Sequence, residues 1–569
     1  QEGFRRHVHK APRQRVSLGF AGGAFGSFWH STEAKSFHIK RYLMISKHSS
    51  MIMAGIGLSL ALFNVPAAHA QAVTFGSDFT ASTLFDNSGN NNLIVAEPPD
   101  TGGAIGGLNA SGAQQYAEFI NGTFKVFNAS SGSTLSTTAA TDFWNAALGQ
   151  GTPGASLTSG VSDPRIYFDT SINRWFASEI TTPSSNANSL LVAVSNSTDL
   201  SSGFKGFSID ANNNTGSSLF ADFDMLGINS SGIYVGVNNF TPPDPNNNNQ
   251  TTDASTSVLY VPKTSLLSGS IAGNKLFYNN SLDSTGYTPH PIIDLDNNAS
   301  PEYVLSDFNT PAGVLSLSTI SGLPTSPVFT GGGGNITVTA EAEPVNARQP
   351  NTNVTLPTND SRFAANVYKR NGEIWGAQNV SETVNGVTHA VLRYVRINAS
   401  TEQVVSQGLI GSGDTAHDYY FGAIVPNALG SVVISYTRSG PSEFASTYAS
   451  VGSYDASTVT FGGTPILLHA GTHEYDLTSL FKRNRWGDYS AITLDPLDQT
   501  KFWSIQEFAS DPRTVFNNNT MRNETYDTWS TRVTELIVPA PEPSSLAAMG
   551  IGVFVLIGCI ARKKRMQSA

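Results

Sequence analysis

The chain has 569 residues, only 13% of them charged, and is rich in Gly, Ser, Thr and Asn, the composition of a turn-rich all-β protein rather than a helical one. Residues 71–545 hold 20 Lys/Arg against 41 Asp/Glu, a net charge near −21 that argues against nucleic acid as a partner. The one cysteine, Cys559, lies outside that body, which excludes disulfides, thiolate zinc sites and a cysteine nucleophile from it.

Residues 1–43 are basic, with eight Lys/Arg and two Asp/Glu. The next stretch, "MISKHSSMIMAGIGLSLALFNVPAAHA" (44–70), has the form of a secretory signal helix. Lys47 supplies positive charge, Met51 to Val65 is apolar, and Ala68-His69-Ala70 is an A-x-A site with Ala68 and Ala70 as its small residues. The pattern predicts passage through the Sec translocon and cutting by signal peptidase. A basic leader does not ordinarily precede a signal at this distance. Met44 is therefore read as the start, and 1–43 as an over-extended, disordered leader outside the fold.

The body repeats. "SDPRIYFDTSINRWFASEI" (162–180), "ADFDMLGINSSGIYVGVNNF" (221–240), "NDSRFAANVYKRNGEIWGAQ" (359–378), "HDYYFGAIVPNALGSVVISY" (417–436) and "GDYSAITLDPLDQTKFWSIQEF" (487–508) align by eye. Each begins near an Asp and passes through a short apolar strand, a turn of Asn, Gly or Asp, and a second strand, which is a repeated hairpin. Two weaker copies lie at 98–122 and 290–308. The equivalent second-strand positions are Tyr116, Trp175, Tyr234, Tyr303, Trp375, Val433 and Trp503, spaced 58 to 72 residues apart. Such units predict a β-propeller of seven blades, with six as the alternative, as one closed domain over 71–538. Tandem β-sandwiches would also repeat, but no Pro/Ser-rich linker divides the body. Trp175, Trp375 and Trp503 are expected to pack between blades rather than to serve as sugar platforms.

Stepping back from each marked position gives a ring of Asp100, Asp163, Asp222, His290, Asp360, Asp418 and Asp488. In a propeller the first strand of each blade lines the axis, so these residues would form an anionic collar at one mouth. Calcium is the natural hard ion for such oxygen ligands and is the candidate cofactor. The plainer reading is that each Asp caps its own turn, and it is favoured because Asp at such turns needs no ligand. Asp294, Asp296 and Asn298 in "DLDNNASPE" match positions 1, 3 and 5 of a calcium loop, but Ala299 and Leu305 replace its Gly and Glu. "THEYD" (472–476) lacks the second His of a zinc-protease motif, and neither G-x-S-x-G nor a phosphate loop occurs.

The phrases "EPPDTGGAIGG", "FINGTFKVFN", "SDPRIYFD…RWF", "NRWGDYSAITLDPLD" and "FWSIQEF" make the body resemble secreted bacterial propellers of sialidase-like shape. Sialidase chemistry needs an arginine cluster for a substrate carboxylate and a tyrosine nucleophile supported by an acid. Arg165, Arg362 and Arg485 are the candidate ligand-binding arginines, and Tyr167 and Tyr489 the available tyrosines. The chain departs from true sialidases in having no clear S-x-D-x-G-x-x-W repeat, which speaks against catalysis.

The chain closes on "VPAPEPSSLAAMGIGVFVLIGCIARKKRMQSA". Pro541, Glu542 and Pro543 stand in an extended Pro-rich segment (539–545). Leu546 to Ala561 is apolar and predicts a single transmembrane helix, and 562–569 form a basic cytoplasmic tail. The three parts in this order resemble the PEP-CTERM sorting signal of Gram-negative bacteria. That resemblance implies processing by an exosortase, transient anchoring in the inner membrane, and release to the cell surface or extracellular matrix, often of a biofilm. The reading is of an exported propeller acting as a non-catalytic binding or adhesion module, with extracellular polysaccharide as the candidate partner. A secreted glycoside hydrolase or lyase of sialidase-like shape is the alternative.

Overall fold

The computed structural model describes residues 73–87, 98–182, 188–242, 252–517 and 520–541. The leader, the signal with Ala68 and Ala70, Glu542 and Pro543 of the sorting motif, and the apolar run 546–561 lie outside the described residues. Among the described residues no helix is long and apolar enough to cross a membrane.

The strands alternate or run continuously apolar, as strands buried on both faces do, and short Asn- or Gly-bearing turns connect them. They build an all-β propeller from successive antiparallel meanders. The first sheet is Gly102–Leu108, Gln114–Ile120, Thr123–Asn128 and Thr134–Ala139, and the second is Val161–Asp169, Arg174–Thr181, Ser189–Ser195 and Phe204–Asp210. Tyr287–Pro291 opens a third with Glu302–Asn309, Val314–Ser321, Val328–Thr330 and Ile336–Thr337. Asp418–Pro426 opens a fourth with Ser431–Gly440, Glu443–Tyr454, Val459–Phe461 and Ile466–His469. The fifth joins both ends of the body: Ala491–Leu494, Lys501–Asn517 and Arg522–Ile537 are completed by Thr74–Thr83, with Thr74 opposite Ile537 and Phe75 opposite Leu536.

The expectation of seven separate blades is corrected. Five sheets stand alone at blade size, and the sixth has nine strands. The cause is the two-residue strand Ile293–Asp294. It pairs in parallel with Ile228 on one side and with Tyr368 and Lys369 on the other. It thereby joins Phe220–Ile228, Gly232–Phe240, Asp253–Pro262 and Lys275–Asn280 to Tyr368–Arg370, Glu373–Val384, Val387–Asn398 and Gln403–Ile410.

The seven marked positions all fall on the second strand of their meander. The three tryptophans among them pack between neighbouring sheets. Trp503 meets Tyr116 with ring centroids 5.7 Å apart, and Trp375 meets Tyr454 at 4.9 Å. Trp175 lies so close to the first sheet that a Cβ on Gly106 would stand 2.2 Å from its ring. That contact explains Gly106 of "GGAIGGL". Helices are few; Ala140–Gly151 buries Phe143, Trp144 and Ala147 against Phe204 of the second sheet.

Candidate functional site at the leading ends of the inner strands

Four inner strands begin with the same irregularity, a β-bulge, between Ser162 and Arg165, Asp222 and Met225, Tyr287 and His290, and Tyr420 and Ala423. Its first residue is left-handed in each case: Asp163 (φ 65), Phe223 (φ 61), Thr288 (φ 52) and Phe421 (φ 51). A carboxamide from the preceding sheet steadies three of these turns. Asn121, Asn238 and Asn379 accept from the backbone N–H of Asp163, Thr288 and Phe421 at 2.9, 2.8 and 2.9 Å. A buried N–H without such a partner costs roughly 1–3 kcal/mol.

This register corrects the ring. Phe223, Thr288 and Phe421, not Asp222, His290 and Asp418, are the structural equivalents of Asp163. Asp222 precedes its bulge, His290 follows its own, and Asp418 lies farther back. The structure brings together Asp100, Asp163, Asp222 and Asp488. Burial raises the Asp100 carboxyl well above its usual range, and Asp488 and Asp163 raise it further. Burial, then Asp163 and Asp488, push Asp222 up to about 7. Asp488 goes the other way: burial works against ionisation, but Arg485 and Asn359 outweigh it and hold the carboxyl below the ordinary range. Asn359 donates to Asp488 at 2.7 Å, and the Asp488 N–H donates to Asp100 at 2.8 Å.

The three predicted arginines join this cluster, each already engaged. Arg485 pairs with Asp488. Arg362 binds both oxygens of Asp360, at 2.7 and 2.8 Å, and lies over the rings of Phe223 and Tyr287. Arg165 donates to the Asp224 carbonyl at 2.9 Å and lies 3.4 Å above the Tyr489 ring. The Tyr489 hydroxyl in turn donates to Asp163 at 2.7 Å. Asp222, Asp360, Arg362, Arg485, Asp488 and Tyr287 are half-buried, whereas Asp100, Asp163, Arg165 and Tyr489 are buried. Apolar residues around the mouth, Phe223, Phe421 and Tyr489, share one cluster with Leu356, Leu477, Trp486, Val515 and Trp529. The loops that precede Tyr368–Arg370 and Ala491–Leu494 and the long hairpin of Lys501–Asn517 and Arg522–Ile537 thus pack against it.

The other predicted residues serve elsewhere. Asp418 is buried and held by the N–H groups of Arg348 and Ala390 and by the Arg348 guanidinium at 2.7 Å. His290 is fully buried with Nδ1 2.9 Å from the Pro291 carbonyl, and burial lowers its pKa to about 3, so it is neutral. The Asp294–Asn298 loop holds a cation of the chain's own. The Lys369 ammonium lies 2.7 Å from Asp294 and 3.5 Å from Asp296, and Asp294 also accepts from the N–H groups of Asp296 and Asn298. Among the described residues no three His, Cys, Asp or Glu side chains form a metal-holding group. Sequence reasoning missed the asparagine stitches. Their signal was present, since Asn238 and Asn379 each stand four residues after a marked aromatic.

No protein-family model matches the chain, and no curated protein matches it. Solved structures give distant likenesses. A thermostable family-43 glycoside hydrolase is 11% identical, with 69% of this chain and 97% of that chain covered and a TM-score of 0.27. A post-proline cleaving enzyme from Rickettsia typhi is 8% identical, with 74% and 52% covered and a TM-score of 0.35. A Trypanosoma rangeli sialidase in complex with the inhibitor DANA is 12% identical, with 65% and 54% covered and a TM-score of 0.28.

Proposed function

We propose that this chain is an exported cell-surface or extracellular-matrix protein whose propeller binds a polysaccharide at the acidic, arginine-bearing mouth. The observation that carries the reading is the half-buried rim of Asp222, Asp360, Arg362, Arg485 and Asp488, where carboxyls and guanidiniums alternate beside the Tyr287 ring. Acceptors and donors fixed side by side suit the paired hydroxyls of a sugar, and an aromatic face suits its apolar side. The guanidiniums of Arg362 and Arg485 already hold carboxylates, which disfavours a charged ligand in their place. We further propose that the nine-stranded sheet counts as two blades, making a ring of seven. Residues 44–70 would direct export and Pro541, Glu542 and Pro543 sorting by an exosortase; calcium has no assigned place in this reading.

A second reading, a secreted glycoside hydrolase, has its own support. Tyr489 bonded to Asp163 beneath Arg165, with Asp222 pushed up to about 7 beside Asp488 held below the ordinary range, is a set of groups from which an acid and a nucleophile can be drawn. One experiment separates the two: the full chain on a glycan array, and against the same glycans in a hydrolysis assay. The binding reading expects capture of a glycan without sugar release, weakened about tenfold or more by Arg362→Ala. Sugar release abolished by Arg165→Ala and Arg362→Ala together would replace it with the hydrolase reading.

A further inference from the structure

The inner strands have a second set of ends. Asp169 closes the strand Val161–Asp169, near whose start Asp163 lies, and Ile228, Asp294, Arg370 and Leu494 close four more. These trailing ends surround a cavity of about 150 Å³ at the far mouth of the axis. A cavity of that size admits one six-membered ring.

Its lining is polar and of both signs. Asp169 and Lys263 form a buried ion pair, and Asp294 is backed by Lys369. Asp495 is buried, accepting from Trp503 Nε1 at 3.1 Å. Arg370 donates from Nη1 to the Leu295 carbonyl at 3.2 Å, while its Nε is buried with no hydrogen-bond partner among the described residues. The half-buried Tyr167 ring adds an aromatic surface.

This balance selects the ligand. An anion would face Asp169, Asp294 and Asp495, and a cation would face Lys263 and Arg370. An uncharged ring bearing several hydroxyls can accept from the Arg370 guanidinium, donate to a carboxylate and stack on Tyr167. We propose that this cavity is a second binding site, for one uncharged sugar-sized polyol ring such as the terminal residue of a glycan. It lies at the other end of the axis from the acidic mouth, so the propeller would hold ligands on both faces.

The test uses the full chain and saturation-transfer NMR with calorimetry. Glucose, galactose, mannose, N-acetylglucosamine and myo-inositol are compared with glucuronate and glucosamine. At least one uncharged ring is expected to bind at millimolar concentration. Arg370→Leu should weaken that binding about tenfold, the loss of one charge-assisted hydrogen bond. Thr170→Trp, on the exposed turn at the cavity rim, fills the space without touching the core and should abolish it. The proposal is overturned if no uncharged ring binds, if a charged analogue binds better, or if neither variant changes binding. Loss in Arg362→Ala with retention in Arg370→Leu would also overturn it, and would assign the binding to the acidic mouth instead.

Discussion

Asp222 and Asp488 share one mouth yet hold their protons differently, because only Asp488 has a guanidinium and a carboxamide bonded to it. Asp222, pushed up to about 7, stays protonated in the folded chain after the unfolded chain has released that proton. Its contribution to stability is complete below the ordinary carboxyl pKa. It is lost as pH rises from there through about 7. Asp222→Asn removes this dependence. Urea unfolding of the wild type should therefore fall more steeply with pH across that window, by up to about 1.4 kcal/mol per pH unit. Parallel curves for the two proteins would show that Asp222 is ionised throughout.

At the scale of elements, the repeat was readable because apolar hairpins with Asn/Gly turns leave a period in the chain, and every marked position landed on a second strand. The ring was readable only in part. A bulge inserts one residue and turns the next side chain aside, so counting backward along the chain misplaces Asp222, His290 and Asp418 relative to Asp163. The fusion through Ile293–Asp294 was not readable, because a two-residue strand has no periodicity to detect. The Asp294–Asn298 motif misled for a related reason: its partner, Lys369, lies far away in sequence. If the nine-stranded sheet is two blades bent about that short strand, electron-microscopy averages viewed down the axis should show seven lobes. Six lobes would mean that the nine strands act as a single blade.

For the whole molecule, the sheet that closes the ring also fixes where its ends emerge. The sorting proposal predicts that deleting 541–543 keeps the protein in the inner-membrane fraction. The prediction is checked by fractionation and immunoblotting of cells producing each form, and release equal to wild type would refute it.

If the chain is exported as proposed, the pairing of Thr74 with Ile537 also constrains the order of events. The strand made first must wait for the strand made last, so the ring stays open like an unclasped bracelet until nearly the whole body has been made. Joining such distant ends costs little more than joining nearer ones, since closure entropy grows only with the logarithm of loop length. In sequence the clasp also lies next to both proposed processing points: Ala70 is four residues before Thr74, and Pro541 four residues after Ile537. Under the export and sorting proposal, cutting at either place would free an end of the clasp itself and so couple maturation of the chain to the locking of its fold.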